Sequence, residues 1–330
     1  MMLDIDDAGR LLIDQYGLAP RLVRARTPPE AEVQVFRIET RQDRQWLLRV
    51  RRADRRLPAW LGGGHSLDWF GRQAAVLRWC GRHDFPAPAL RRTLEKQAVA
   101  RWERWAGLLV SFLPGGSLAA GTEGLPHLGR LLGSLHALES PDGLPGSWWY
   151  PLDAAAERAR ALLNDIEEVP DEWLALQADC LQALAAWPRL QDLPLCTLHG
   201  DCYPGNALVL PEGGLALIDW EYAGRGPAVL DLGTLLEDCY RDSGSIPMPD
   251  QGALRAALAA YQETRRLMPG EAGALGAAIR FGVAYRTAVR FTFAEESGWS
   301  EAVLRGLRRE QVRMAAAAGI GTLVQALVHD

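Results

Sequence analysis

Lysine is nearly absent from this sequence: Lys96 is the only one, and arginine supplies almost all of the positive charge. A binding site that needs a fixed cation is therefore expected to use arginine. The chain has no basic tail or stripe and a net charge of −5, which argues against nucleic acid as its main partner. It also lacks a long apolar run, and its first residues are acidic. We therefore expect neither a signal peptide nor a membrane-spanning segment.

Cysteine is scarce, and its spacing contains no CxxC pair. The five cysteines make an odd count, at positions Cys80, Cys180, Cys196, Cys202 and Cys239. This usage predicts a reduced, cytoplasmic setting. A chain of 330 residues with 48% hydrophobic content can bury a large core, and we expect it to divide into two domains or lobes.

Polar residues of the types that carry out catalysis or bind metals are concentrated between positions 195 and 231. His199, Asp201 and Asn206 share one short polar loop. Two β-prone runs follow, 206–210 and 215–219, and a Pro-Glu-Gly-Gly link joins them. This pattern predicts a hairpin, which would bring Asn206, at the start of the first run, beside Asp219, at the end of the second.

These side chains suit phosphoryl transfer. An Asn amide oxygen and an Asp carboxylate are ligands for a hard cation such as Mg²⁺, which completes its coordination with water and substrate phosphates. Asp201, five positions before Asn206, could accept a proton from a hydroxyl aligned on a phosphate. Positioning and charge neutralisation supply most of the catalysis in such reactions. The alternative is a hairpin with polar ends in an unrelated fold.

The segments HGDCYPGN and LIDWE resemble the catalytic loop and metal-binding segment of the aminoglycoside phosphotransferase and choline kinase-like family, within the protein-kinase-like superfamily. The resemblance implies that Asp201 is the catalytic base and that Asn206 and Asp219 hold Mg²⁺. It implies that His199 supports the loop, through backbone or through Asp219. ATP is the expected phosphate donor, with GTP as the alternative. Asp231, in GPAVLDLG, matches a family aspartate that braces the catalytic loop.

The same resemblance implies an α+β, bilobal fold. Residues 1–112 would form a nucleotide-binding lobe with a small antiparallel sheet and one helix, and residues 113–330 a larger, mainly helical catalytic lobe. The hinge would lie at about 110–115. Adenine would bind backbone there, at the carbonyl of Ser111 and the amide of Leu113. An ordinary strand that ends in a Pro-Gly turn is the alternative interpretation.

Two further positions bear on phosphate binding. Arg49 occupies the position where the family places a lysine or arginine on the α- and β-phosphates, although it could also be an outward-facing strand arginine. Gln73 stands where the family has an acid that braces this cation. The loop at 27–32 has no glycine and is therefore a poor phosphate cradle. These departures keep open a regulatory module that binds nucleotide without transferring phosphate.

The sequence defines the molecule that accepts the phosphoryl group less specifically. Trp220, Glu221 and Tyr222 resemble the WEYAG segment of choline, ethanolamine and thiamine kinases, which suits a cationic substrate. The alternative is that the tryptophan packs in the core and the acid is solvated.

The sequence pattern predicts that the second half of the chain is mainly helical. Leucines recur every three or four residues near 128–138, which predicts an amphipathic helix. Further helices are expected after it, and the last two are predicted at 300–318 and 322–328. We therefore predict a small-molecule kinase, either a monomer or a homodimer, that acts without nucleic acid or membrane. A protein substrate is the third hypothesis, and the many late helices disfavour it.

Overall fold

The chain forms two compact units. The computed structural model describes residues 3–28, 31–42, 44–58, 63–118, 123–241 and 247–329. The first unit comprises Met1–Gly116 and Leu208–Glu221, and the second comprises Ser117–Ala207 and Tyr222–Asp330. A short later segment, 208–221, therefore belongs with the first unit. The functional division into lobes near residue 112 stays a prediction.

The first unit is a mixed sheet and helix structure. Within the described residues it contains a six-stranded antiparallel sheet of order β1-β2-β3-β6-β4, with β5 also paired to β6. Its elements are α1 (Ile5–Tyr16), β1 (Pro20–Ala25), β2 (Gln34–Thr40), β3 (Gln45–Arg52), α2 (Ser66–Arg82), β4 (Leu90–Arg91), β5 (Ala100–Trp102) and β6 (Trp105–Ser111). The antiparallel sheet agrees with the predicted fold, whereas the described part of this unit has two helices where one was predicted. Its role in nucleotide binding stays a prediction.

Strand β3 lies in the middle of this sheet, and its position fixes the backbone of Arg49. Arg49 pairs with Val35 of β2 on one side and with Leu108 of β6 on the other. Leu48 and Val50, its neighbours in sequence, are fully buried, as is Ile38 of β2. Because strand side chains alternate between faces, burial of Leu48 and Val50 commits Arg49 to the opposite face.

The later segment of the first unit contains the predicted hairpin. Strands β7 (Gly116–Ser117), β9 (Ala207–Val209) and β10 (Leu215–Leu217) form a three-stranded sheet of order β10-β9-β7. The turn closes through hydrogen bonds from Leu210 N to Gly214 O and from Gly213 N to Leu210 O, at 3.1 and 3.0 Å. The hairpin prediction is confirmed, with strands shorter than the β-prone runs.

The second unit is mainly helical. Its helices are α3 (Leu125–Ala137), α4 (Leu152–Asn164), α5 (Asp171–Leu184), α6 (Ala228–Leu236), α7 (Gln251–Gln262), α8 (Pro269–Glu296) and α9 (Glu301–His329). Strand pairs β8 (Leu195–Leu198) with β11 (Gly224–Pro227) and β12 (Tyr240–Arg241) with β13 (Met248–Pro249) complete it. Helix α8 packs against α4, α5, α6 and α9. No helix in the described ranges has a segment long and apolar enough to cross a membrane.

Helix α9 corrects the prediction of two helices at 300–318 and 322–328. It runs without a break from Glu301 to His329. The interruption was expected around Gly321, but a Cβ on Gly276 of α8 would lie only 3.1 Å from the Cα of Gly321. Two glycines therefore let the backbones of α8 and α9 approach closely, and this packing retains helix where propensity alone predicts a break.

Helix α6 was not predicted. All nine of its residues, from Ala228 to Leu236, are buried. A helix that is buried on every side has no apolar stripe, so periodicity cannot reveal it. Its first turn carries Asp231, and the helix therefore matters for the candidate site.

Candidate active site

Asp231 supports the loop that follows strand β8. Its side chain is fully buried, and its two oxygens accept hydrogen bonds from the backbone N–H groups of His199, at 2.6 Å, and Gly200, at 2.8 Å. Hydrogen bonds to a charged acceptor are stronger than neutral ones. The carboxylate therefore fixes the start of the HGDCYPGN loop. Asp231 is the residue to which the resemblance assigns a bracing role.

A second layer of side chains holds Asp231 in turn. His136 of α3 places Nε2 3.3 Å from Asp231 Oδ2 and Nδ1 2.9 Å from the hydroxyl oxygen of Tyr261. Burial lowers the pKa of His136, and the charge of Asp231 opposes this only in part. The imidazole is therefore neutral at pH 7. Because a carboxylate can only accept, Nε2–H donates to Asp231 and Nδ1 accepts from the hydroxyl of Tyr261.

Gly200 takes a conformation that a larger residue would not tolerate. Its φ is +87°, in the left-handed region, and a Cβ there would lie well inside van der Waals contact of the backbone carbonyl of Tyr222. The carbonyl oxygen of Gly200 accepts a hydrogen bond from the indole Nε1 of Trp149, at 2.9 Å. The loop is thus fixed on both sides of Gly200.

The loop brings Asp201 and Asn206 together. The amide nitrogen of Asn206 donates to the carboxylate Oδ2 and to the backbone oxygen of Asp201, both at 2.9 Å. The backbone N–H of Asp201 donates to Nδ1 of His199, at 3.3 Å. His199 is fully buried and Asn206 is 6% exposed. A carboxylate with a fixed direction is the arrangement that a general base needs.

The orientation of Asn206 bears on metal binding. Because Nδ2 donates to Asp201, the amide oxygen Oδ1 is the atom of Asn206 suited to ligate a cation. Asp219, with φ of +64°, supplies a carboxylate that is 44% exposed. Within the described residues, no group of three or more His, Cys, Asp or Glu side chains could hold a metal. Amide and carboxylate oxygens of this kind suit Mg²⁺, which takes few protein oxygens and completes its shell with water and phosphate.

In the first unit, Asp219 belongs to a cluster around Arg49. Nη1 of Arg49 donates to Asp219 Oδ1 at 3.0 Å, and Nη2 donates to Glu221 Oε2 in a short ion pair. The Arg49 side chain is 16% exposed, and its Cζ lies 5.8 Å from the centre of the Trp69 ring. Burial lowers the pKa of Arg49, but the charges of Asp219 and Glu221 more than offset this and raise it. The guanidinium therefore stays charged.

The residues that were predicted to receive a cationic acceptor occupy separate environments. Trp220 is 2% exposed, its indole N–H donates to Leu217 O, and its ring packs edge-on against Phe85. Glu221 pairs with Arg49. Tyr222 packs edge-on against Trp148 in the second unit, with ring centroids 4.2 Å apart. The burial of Trp220 favours the packing interpretation for that residue.

Gln73 lies on α2, one turn after Trp69. It is 1% exposed, and its amide nitrogen has no hydrogen-bond partner. Residues four apart on a helix share a face, so Gln73 and Trp69 present neighbouring side chains. The predicted brace for Arg49 is thus a buried neutral amide.

The expected adenine-binding backbone lies at the end of β6. Ser111 closes the strand, with its N–H donating to Ala89 O and its hydroxyl accepting from Ala89 N, at 2.9 and 2.8 Å. Leu113 follows two residues later, outside the strand. In the glycine-free 27–32 loop, Thr27 Oγ1 accepts from Val35 N at 3.0 Å, whereas positions 29 and 30 lie outside the described residues.

Cys202, beside Asp201, is fully buried, and burial raises the pKa of its thiol well above the ordinary value. A thiol that stays protonated is a poor nucleophile. Cys202 is therefore a small packing residue of the loop rather than a nucleophile.

The fold is that of known kinases that act on small molecules. An amicoumacin kinase solved with AMP-PNP, Ca²⁺ and Ami has a TM-score of 0.70 at 14% identity, over 94% of this chain and 93% of that chain. An aminoglycoside phosphotransferase from Alicyclobacillus acidocaldarius has a TM-score of 0.63 at 16% identity, over 96% of each chain. A choline/ethanolamine kinase family protein from Mesorhizobium loti gives 0.61 at 18% identity, over 98% of each. The predicted α+β kinase-like fold is confirmed.

The chain belongs to the phosphotransferase enzyme family APH, whose model matches residues 25–273. The resemblance drawn from the HGDCYPGN and LIDWE segments is therefore confirmed.

Curated relatives carry a more specific name. A homoserine kinase from Xanthobacter autotrophicus is 32% identical over 186 residues, which are 52% of this chain and 55% of that protein. A homoserine kinase from Gluconobacter oxydans is 30% identical over 191 residues, 52% of this chain and 56% of that protein. The match thus spans about half the length of these relatives.

Proposed function

We propose that this protein transfers the γ-phosphoryl group of ATP, with Mg²⁺, to a hydroxyl of a small molecule in the cytoplasm. The observation that carries the proposal is the pairing of Asp201 with Asn206 in a loop held by Asp231. A carboxylate, an amide oxygen and a buried brace in this family segment are the equipment for activating a hydroxyl.

The proposed roles divide among few residues. Asp201 accepts the proton of the acceptor hydroxyl and orients the oxygen. Asn206 and Asp219 are the metal ligands, and a bound Mg²⁺ neutralises phosphate charge. Arg49 binds phosphate oxygens, and its guanidinium, charged at any working pH, can do so bidentately. His199 supports Asp201 through the backbone N–H that it accepts.

For the acceptor we propose a hydroxylated amino acid of the homoserine type. The support is that the curated relatives described above, at 30–32% identity, are named homoserine kinases. The burial of Trp220 and the ion pair of Glu221 with Arg49 weaken the earlier expectation of a cation held by the WEYAG segment. Choline, thiamine and aminoglycosides therefore become comparison substrates.

The second candidate is a regulatory module that binds nucleotide without transferring phosphate. The ion pair between Arg49 and Asp219 favours it, because it engages a proposed metal ligand with a protein cation. The neutral Gln73 favours it as well.

The test is a coupled ADP-release assay with Mg-ATP and a panel of acceptors: homoserine, serine, choline, thiamine, an aminoglycoside and aminopropanol. We expect turnover on homoserine or a close hydroxy amino acid, and loss of that turnover in Asp201→Asn. Turnover confined to choline or the aminoglycoside would overturn the proposed acceptor class, whereas the proposed phosphoryl transfer to a hydroxyl would stand. Binding of Mg-ATP without turnover on any acceptor would favour the regulatory module.

A further inference from the structure

We infer that Glu221 is the residue that positions Arg49 for phosphate, with Asp219 as a partner that Arg49 gives up when metal and nucleotide bind. The inference rests on the proposed function, since it concerns how Arg49 meets a nucleotide. It assigns to Glu221 a positioning role that the sequence did not suggest.

The backbone of Arg49 is fixed, whereas the direction of its side chain is set by its partners. Pairing with Val35 and Leu108 places its Cα in the centre of the sheet. Beyond that point the side chain has four rotatable bonds, and an arginine loses substantial rotamer freedom when it is held in one geometry. Whatever groups hold the guanidinium therefore decide where its donors point.

The neighbouring helix does not supply a charged partner from the expected position. Gln73 is neutral and buried, and its amide nitrogen has no hydrogen-bond partner. Trp69, one turn earlier, offers a ring face 5.8 Å from the guanidinium carbon. A ring face attracts a cation but does not direct individual N–H bonds, so it cannot orient the two Nη atoms.

Within the described residues, two carboxylates pair with Arg49, and they differ in exposure. Asp219 binds Nη1 and its side chain is 44% exposed, whereas Glu221 binds Nη2 and its side chain is 18% exposed. Coulomb attraction is less screened at the more buried pair. Glu221 is therefore the stronger and more permanent anchor, and Asp219 is the partner that can be exchanged.

The geometry also explains how Arg49 can bind phosphate while Asp219 binds a cation. With Nη2 held by Glu221, Nη1 is the donor that changes partner, from Asp219 Oδ1 to a phosphate oxygen. The same exchange frees Asp219 for the cation. Proton and charge balance is kept, because one guanidinium donor leaves one anion for another and no proton moves.

The experiment measures coupling between side chains with and without nucleotide. Unfolding free energies are obtained for Arg49→Gln, Glu221→Gln, Asp219→Asn and the two double variants that include Arg49→Gln. The measurements are made in the apo state and with saturating Mg-AMP-PNP. We expect coupling of Arg49 with both acids in the apo state, and with nucleotide we expect coupling to Glu221 alone. Coupling to Asp219 that persists with nucleotide would overturn the exchange.

Nucleotide affinity gives the second readout, by calorimetry with Mg-AMP-PNP well below the melting temperature. Glu221→Gln should weaken binding by about tenfold to a hundredfold, the loss expected for one hydrogen bond to a charged group. The double variant with Arg49→Gln should be no weaker than Arg49→Gln alone. Glu212→Gln, in the exposed turn of the same hairpin, is the matched control and should bind as wild type.

A rescue variant separates positioning from simple folding. Gln73→Glu in the Glu221→Gln background supplies a carboxylate on the face of α2 that carries Trp69, and we expect it to restore part of the lost affinity. Wild-type affinity in Glu221→Gln, with a raised KM for the acceptor, would assign Glu221 to the substrate instead. A wild-type protein that binds no nucleotide would refute the proposed function and this inference together, a result distinct from failure of Glu221 alone.

Discussion

Removal of the buried charge of Asp231 should destabilise the second unit strongly. Asp231→Asn keeps the shape of the side chain but converts one acceptor oxygen into an NH₂ group that faces a backbone N–H. The two backbone hydrogen bonds, at 2.6 and 2.8 Å, lose their charged acceptor, and one donor is left buried without a partner. At about 1.5–3 kcal/mol for each of these two hydrogen bonds to a charged group, the expected loss is about 3–6 kcal/mol.

Guanidinium chloride unfolding, followed by far-UV circular dichroism, measures this loss. Asp192→Asn is the matched control: the same chemical change at an exposed position, where we expect an effect within about 0.5 kcal/mol of zero. A loss below about 1 kcal/mol for Asp231→Asn would refute the reasoning, since it would mean that the N–H groups of His199 and Gly200 find other acceptors at little cost.

Three further predictions concern other buried positions. Burial raises the pKa of Glu237 to about 7, against the opposing charges of Arg286 and Arg313. The folded protein therefore binds more protons than the unfolded chain between about pH 4.5 and 7, and this contribution to stability falls as the pH rises through that window. Glu237→Gln should lack this fall, and parallel unfolding profiles against pH would contradict the assignment. Gly200→Ala should cost more than 1 kcal/mol in unfolding experiments, because its Cβ meets a backbone carbonyl at a positive φ; an unchanged midpoint would mean that the loop relaxes. Since the cysteines are buried, Cys202 included, native protein should react slowly with Ellman's reagent at pH 8 and fully after denaturation; rapid native labelling would exclude the buried state.

Local patterns predicted much of the fold. The sheet of the first unit follows from β-branched and aromatic runs separated by turn residues, and the 206–219 hairpin follows from its Gly-Gly turn. Helix α6 could not be predicted, because burial of all its residues leaves no periodicity. The break expected near Gly321 was wrong because contact with Gly276 outweighs glycine's poor helix propensity.

In the candidate site, too, some residues follow from local sequence patterns and others do not. Asp201, Asn206 and Asp219 were predicted from residue type and spacing within one short segment, and their roles stay predictions. The partners of the loop could not be predicted in this way: His136 lies 95 residues from Asp231, and Trp149 lies 51 residues from Gly200. Their roles depend on tertiary packing, for which a single sequence gives no local pattern. The same holds for Glu221, which lies 172 residues from Arg49.

Parallel measurement of nucleotide affinity and phosphoryl transfer in Asp201→Ala and Asp219→Ala tests the central claim most directly. For Asp201→Ala we expect the Kd for Mg-AMP-PNP to stay within about threefold of wild type, while turnover falls by about a hundredfold or more, the contribution typical of a general base. For Asp219→Ala we expect the magnesium-dependent part of binding to be lost. Retained turnover in either variant would contradict the assignment of these residues to a phosphotransferase site.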